Sequence, residues 1–345
     1  MPDSDFHQQL LESDAFATYS LRSTFFLRGL RATRLWEAID NVRRLASAGT
    51  GFSWDERAQW GIEEEAWLRV GQHQINPLCV FCHPRLMGEQ PWLLLYYRTL
   101  SLISQKGLKK LAGGNVERIE SGAAATIDDT TKLRLVMTLN SVLSATIIAS
   151  SRLSDGELPG LQFAAAGATL QGSWNNAVGK EGEAAVRTIL VNRLRDEITQ
   201  VVWKDGRSTD YAEDQHVNIL DHIHDLKVVR LRQGFHLLFS SEPDVSVRDV
   251  HEKPVMAIEV KAGTDSAGAL ERLGAAMKSF ENDRSLNPRV KTVYVVRAMT
   301  PELRARIDET NPFDYTFGLA ELLADEDKQR RFAGVVLRAI LGRNR

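Results

Sequence analysis

Three ionisable residues, Asp244, Glu259 and Lys261, carry the strongest chemical signal in the chain. Asp244 lies in the stretch Pro243–Arg248, and the other two lie in the stretch Val255–Ala262. Both stretches alternate side-chain character with period two, the pattern of a strand. On the first, Asp244, Ser246 and Arg248 share a face opposite Val245 and Val247. On the second, Ala257, Glu259 and Lys261 share a face opposite Met256, Ile258 and Val260. A short polar turn joins the two, so with their apolar faces together the hairpin brings two carboxylates and one ammonium to the rim of a sheet. Carboxylates that close repel unless a divalent cation sits between them. Oxygen-only ligation suits Mg²⁺, which keeps several waters and readily accepts a phosphate oxygen. Such a cation polarises a phosphodiester and generates hydroxide from bound water. The lysine orients that water or stabilises charge developing on the phosphate. A Glu-x-Lys string also fits a solvated edge strand whose charges discourage edge pairing, so the surrounding elements must decide.

Those elements alternate in kind along the chain. Residues 1–155 read as mainly helical, with apolar residues at helical spacing over Tyr19–Ala48, Asp55–Val70, Trp92–Leu111 and Lys132–Ile148. Residues 151–182, rich in Ser, Gly and Ala and containing Pro159, read as the passage to a second region. Gly179–Glu183 then precedes a helix marked by Val186, Ile189, Leu190 and Leu194. Val228–Phe239 supplies a strand, the hairpin follows, and Asp265 ends a turn as the N-cap of a helix over Ala267–Asn282. Lys291–Val296 is a β-branched strand, Pro301 starts a further helix, and Ala320–Leu341 closes the chain as helix.

Pro243-Asp244 followed by Glu259-Val260-Lys261 resembles the PD-(D/E)xK nuclease signature, and the order helix–strand–strand–strand–helix–strand matches that fold. The expected architecture is mixed α+β or α/β: an N-terminal helical region, 1–155, for DNA recognition or dimerisation, and a restriction-endonuclease-like αβββαβ core with a mixed sheet flanked by helices, 156–345. The resemblance implies that Asp244 and Glu259 ligate Mg²⁺ and that Lys261 orients the attacking water. It also implies an acid on the first core helix. Glu183 lies near the apolar arc of that helix and Glu181 points further round towards solvent, so Glu183 is the candidate outer ligand and Glu181 the alternative. A glutamate near a helix N-terminus is equally explained by the helix dipole.

The remaining composition sets bounds. The chain has 345 residues, room for one or two domains. Its formal net charge of −2 gives no bulk nucleic-acid signature, although a local basic cleft is compatible with it. Two cysteines make no secreted disulfide framework. No signal-peptide pattern opens the chain, and no apolar run suggests a membrane span; a soluble, cytoplasmic setting is expected. Cys79, Cys82 and His83 form a C-x-x-C-H string that reads as small buried residues on a packed loop, with a metal site as the alternative. Asp221, His222, His224 and Asp225 read as a polar surface group, again with metal as the alternative. Candidate DNA contacts are Arg98, Gln105 and Lys106, and Arg272 and Lys278 on the polar face of the helix after the hairpin. For the first three, a solvated basic helix end is the competing reading.

The stretch Ile258–Glu281, Phe81-Cys-His-Pro84, Tyr96-Tyr-Arg98 and Ser104-Gln-Lys-Gly107 resemble the XcyI-type family of type II restriction endonucleases over most of the chain. That resemblance implies a homodimer that uses Mg²⁺ to hydrolyse both strands of a short palindrome, CCCGGG-like, leaving 5′-phosphate ends. It also implies double-stranded DNA as substrate and a cognate DNA methyltransferase in the same system. The competing expectations are a structure-specific repair or recombination nuclease, and an inactive DNA-binding protein on the same fold.

Overall fold

The computed structural model describes residues 15–49, 51–150, 154–265 and 268–342. The chain forms two compact units: Arg22–Ser173, and Trp174 onward together with the described residues up to Leu21.

The first unit is helical. Its elements are the part of α1 (Ala15–Ala32) from Arg22 on, α2 (Leu35–Ala48), α3 (Glu64–Gln72), α4 (Pro84–Glu89), α5 (Leu94–Leu100), α6 (Gln105–Ala112), α7 (Val116–Glu120) and α8 (Asp129–Ala149). Helix α2 shows why they form: Leu35, Ala38, Ile39, Val42 and Ala46 recur at three- and four-residue steps and are all buried. Gly49, in the left-handed conformation, ends it. Three stretches expected as single helices are interrupted. Tyr19–Ala48 divides before Leu35. Asp55–Val70 is a 3₁₀ turn closed by left-handed Gly61 before α3 begins. Trp92–Leu111 breaks at Leu102, whose φ of 56° stops α5, and Ser104 then caps α6 by accepting the Gly107 N–H.

Helix α8 corrects the expectation that no segment matches a membrane span. By length and composition it is apolar enough to cross one. In the structure its Leu135, Val136, Leu139, Leu143 and Ile147 are buried in the core of the helical unit.

Helix α9 (Glu157–Arg193) corrects the reading of 151–182 as a connecting passage. Pro159 falls in its first turn, where a missing N–H costs nothing, and its alanines favour helix. By compactness the chain divides within this helix, between Ser173 and Trp174.

The second unit continues with β1 (Ile198–Trp203), β2 (Ser208–Asp210), α10 (His216–Asp221), β3 (Leu226–Leu231), β4 (His236–Phe239), β5 (Val245–Arg248), β6 (Pro254–Lys261), α11 (Ala269–Ser279), α12 (Glu281–Leu286), β7 (Lys291–Val296), α13 (Pro301–Thr310), β8 (Tyr315–Gly318), α14 (Leu319–Ala324) and α15 (Glu326–Leu341). Among the described residues the strands form one mixed sheet of eight, in the order β2-β1-β3-β4-β5-β6-β7-β8. Pairing is antiparallel as far as β6 and parallel from β6 through β8. The expected Val228–Phe239 strand is a hairpin, β3–β4, that turns at Gln233 and Gly234, both with positive φ. β1, β2 and β8 were not expected.

Strand β6 is the key element. It lies between β5 and β7 and is buried along seven of its eight residues. That removes the solvated-edge explanation of Glu259 and Lys261, because a central strand has no free edge to protect. The parallel β6–β7 pair needs a crossover, which α11 and α12 supply. Leu273, Ala276 and Phe280 from this crossover pack with Ala257, Tyr294, Val296, Leu303 and Phe313. The helix starts after Gly268 rather than on an Asp265 cap; the Asp265 carbonyl instead accepts from Arg272.

Candidate active site

The β5–β6 register pairs Val245 with Ile258 and Ser246 with Ala257. One step further along, Asp244 stands opposite Glu259, and directly opposed Cβ atoms lie about 5 Å apart. The hairpin expected from the alternation is therefore present, with one difference. Asp244 Oδ2 accepts the Val260 backbone N–H at 2.7 Å. Backbone donors lie in the plane of a sheet, so this carboxylate turns into the gap where β5 leaves β6 rather than standing on the Glu259 face. Glu259 is buried and held at both oxygens: Ser279 Oγ donates to Oε2 at 2.8 Å, and Lys261 Nζ pairs with Oε1.

Glu183 arrives from α9. Its neighbour Gly182 has no room for a side chain, since a Cβ there would overlap Ala262 Cβ, one residue beyond Lys261. Glycine thus lets the helix approach the end of β6 closely enough to present Glu183. Glu183 Oε2 accepts from the Arg187 guanidinium, one turn further on, at 3.2 Å. Glu181 is not directed to solvent as expected; it is buried, and His224 Nε2 lies 3.9 Å from its Oε1.

The electrostatics bind these residues into one cluster. Burial, then Glu259, then Glu183 push the Asp244 carboxyl up to about 8. Burial is also the main cause that raises Glu183, opposed by Arg187 and reinforced by Glu259. Burial lowers the Arg187 guanidinium, while the charges of Glu183 and Asp244 pull it the other way. A carboxyl driven this far from its ordinary value of 3.8 marks a site short of positive charge.

Mg²⁺ fits that donor set. The available donors are carboxylate oxygens, with no thiolate or imidazole among them. Among the described residues no three of His, Cys, Asp or Glu form a cage by themselves. A cation that is bound through one or two carboxylates and completes its shell with water needs no such cage.

The other candidates separate. Arg98 is corrected as a DNA contact: it is 3 % exposed, its Nε and Nη2 bond Glu120, and its Nη1 donates to the Ile103 carbonyl at 2.9 Å. Gln105 turns to the same Glu120, with Nε2 at 2.7 Å from Oε2. Lys106 and Lys278 are exposed, and Arg272 is half-buried and bonded to Asp265. Cys79 and Cys82 are free, buried thiols that burial pushes up, away from the thiolate form a metal needs. Both ring nitrogens of His83 are engaged. Nδ1 accepts the Arg85 N–H, so Nε2 carries the proton that meets the Ser53 carbonyl at 2.8 Å. His222 and Asp225 help line a cavity of about 500 Å³ with Trp203 and Lys204.

Two residues of the cluster were missed. Arg187 was legible as an i,i+4 partner of Glu183. Ser279 carries no sequence signal, because only the crossover packing brings it to Glu259.

With the geometry in place, comparison with known proteins is informative. The chain is 26% identical over 278 residues to the type II restriction enzyme XcyI of Xanthomonas campestris pv. cyanopsidis, covering 76% of this chain and 75% of that enzyme. A family model described as XcyI restriction endonuclease matches residues 62–329, a span that takes in the helical unit from residue 62 on and the acidic cluster. The chain belongs to the XcyI restriction endonuclease family.

Proposed function

We propose that this protein is a Mg²⁺-dependent type II restriction endonuclease that cleaves both strands of a short palindromic site in double-stranded DNA. The observation that carries the reading is the buried cluster of Asp244, Glu259 and Glu183 with Lys261 at one end of β6, short of positive charge by its own chemistry. The αβββαβ core of the PD-(D/E)xK nucleases is the framework that best accounts for it. On this reading the core would comprise α9, β4, β5, β6, α11 and β7, with β1, β2, β3 and β8 widening the sheet around it.

Asp244 and Glu259 would hold Mg²⁺, with Glu183 at the outer edge. When bound, the ion supplies Lewis acidity at the scissile phosphate and lowers the pKa of a bound water. The protein's own groups do the remaining work. The Val260 N–H fixes Asp244, and Ser279 fixes Glu259. Lys261, paired with Glu259 in the free protein, exchanges that partner for the attacking water and holds it in line with the phosphorus. The expected products carry 5′-phosphate and 3′-hydroxyl ends. A two-fold homodimer is the natural reader of a palindrome, and a methyltransferase of the same specificity is the expected companion. A CCCGGG-containing duplex is the first substrate to test.

The experiment is digestion of a long sequenced DNA with and without Mg²⁺, with mapping of the ends. Discrete bands that vanish in Asp244→Ala and Lys261→Ala are expected. Full Mg²⁺-dependent cleavage by either variant would make the assignment wrong, and cutting confined to branches or flaps would favour a repair nuclease.

A further inference from the structure

We infer that Arg187 is a built-in counter-ion that occupies the place of a second metal ion, so that the site takes one divalent cation per chain. The inference rests on the nuclease reading above and specifies its metal requirement.

Each acid of the cluster has its own anchor. Asp244 is held by the Val260 N–H, Glu259 by Ser279 and Lys261, and Glu183 by Arg187. Glu183 is thus the acid of the cluster held by a guanidinium from its own helix. Arg187 is 6 % exposed, lies over the Phe239 ring at 5.0 Å and feels the charge of Asp244. A buried cation bonded to one carboxylate, within the field of a second and backed by an aromatic face, does the electrostatic work that a second metal does elsewhere.

The formal charges point the same way. With all three acids ionised, the state in which they hold a cation, Asp244, Glu259 and Glu183 contribute −3 and Lys261 and Arg187 contribute +2, leaving −1. One divalent cation brings the cluster to +1, and one scissile phosphodiester brings it to zero. Two divalent cations with the same phosphate would leave +2 in a buried site, a costly excess. Arg187 Nε also has no acceptor in the structure. A buried donor left unmet is satisfied when an anionic oxygen arrives, as one does with DNA.

The test counts bound Mn²⁺ on the full-length protein by electron paramagnetic resonance, without DNA, and compares the Mg²⁺ dependence of plasmid cleavage. The expected result is one Mn²⁺ per chain, lost in Asp244→Ala, with cleavage first-order in Mg²⁺ at low concentration. Arg187→Met is expected to take up a second Mn²⁺ because Glu183 is then uncompensated, while Arg187→Lys stays at one. Two Mn²⁺ in the wild type, or cleavage second-order in Mg²⁺, would overturn the inference whether or not Arg187→Met folds. So would no bound Mn²⁺ in a protein whose cleavage still depends on Mg²⁺. Absence of Mg²⁺-dependent cleavage in the wild type overturns the nuclease reading itself, and the inference with it.

Discussion

Each unit holds a buried charged cluster, around Glu120 in one and Glu259 in the other, and these two clusters are built in opposite ways. In the helical unit, Arg98 and Glu120 meet through paired contacts, with Ile103 and Gln105 taking up the remaining groups. One cation faces one anion, and the polar atoms are met. In the sheet unit, three acids gather around Lys261 and Arg187, one acid is forced far from its ordinary ionisation, and Arg187 retains an unmet N–H. A balanced buried pair fixes the conformation of a loop and two short helices. An unbalanced one stores a demand for a ligand, and the fold tolerates it because β6, α9 and α11 hold the acids in place.

The largest expected effect is on chemistry. Lys261→Met should lower cleavage by roughly 10²–10⁴-fold with folding retained, measured as plasmid nicking and linearisation under single-turnover conditions. The contrast between the units is then tested by stability. Arg98→Met strands a buried Glu120 and should cost about 3–5 kcal/mol in urea denaturation. A cost under about 1 kcal/mol would dissolve the contrast, since it would make the pair no better than a surface one.

Asp244→Asn should act in the opposite sense, abolishing cleavage while raising the stability of the metal-free protein by on the order of 2 kcal/mol at neutral pH. The sign follows from the raised carboxyl. Between its ordinary 3.8 and about 8 the folded state binds more protons here than the unfolded state. Stability is therefore highest below the lower value and falls as pH rises through the window, by about 1.4 kcal/mol per unit at most. Thermal melts of the metal-free protein from pH 4 to 8 should show that fall, and Asp244→Asn should flatten it.

Smaller effects sharpen the geometry. Gly182→Ala forces α9 away from Ala262 and should cost about 1–3 kcal/mol, with a larger loss in cleavage than in substrate binding because Glu183 moves with the helix. Ser279→Ala removes one of the anchors of Glu259 and should cost about 1 kcal/mol, with a few-fold rise in the Mg²⁺ concentration needed for half-maximal cleavage.

The acidic hairpin was readable before any fold was known because period-two alternation places side chains across neighbouring strands, and register follows from matching apolar faces. Amphipathic α2 and the crossover helix were readable for the same kind of reason at period 3.6. The readings failed where composition and conformation part company. Residues 157–182 are rich in Gly, Ser and Ala, which resembles a linker, yet they form α9, and Gly182 at their end allows its close approach to Ala262. β2 and β8 are short and β2 is largely exposed, so neither carries an alternation long enough to read, while β1 pairs both with the adjacent β2 and with β3 further along the chain.

The amino-acid sequence by itself determined which groups meet at the β5–β6 hairpin, because local alternation and a short turn settle that without the rest of the molecule. Tertiary structure alone decided how each charge is used. It buried Arg98 against Glu120, 22 residues away, turned Asp244 into the plane of the sheet, and brought Glu183, Arg187 and Ser279 to the end of β6. Burial and partner identity set the energy of an ionised side chain, and both are properties of the packed fold rather than of any stretch of chain.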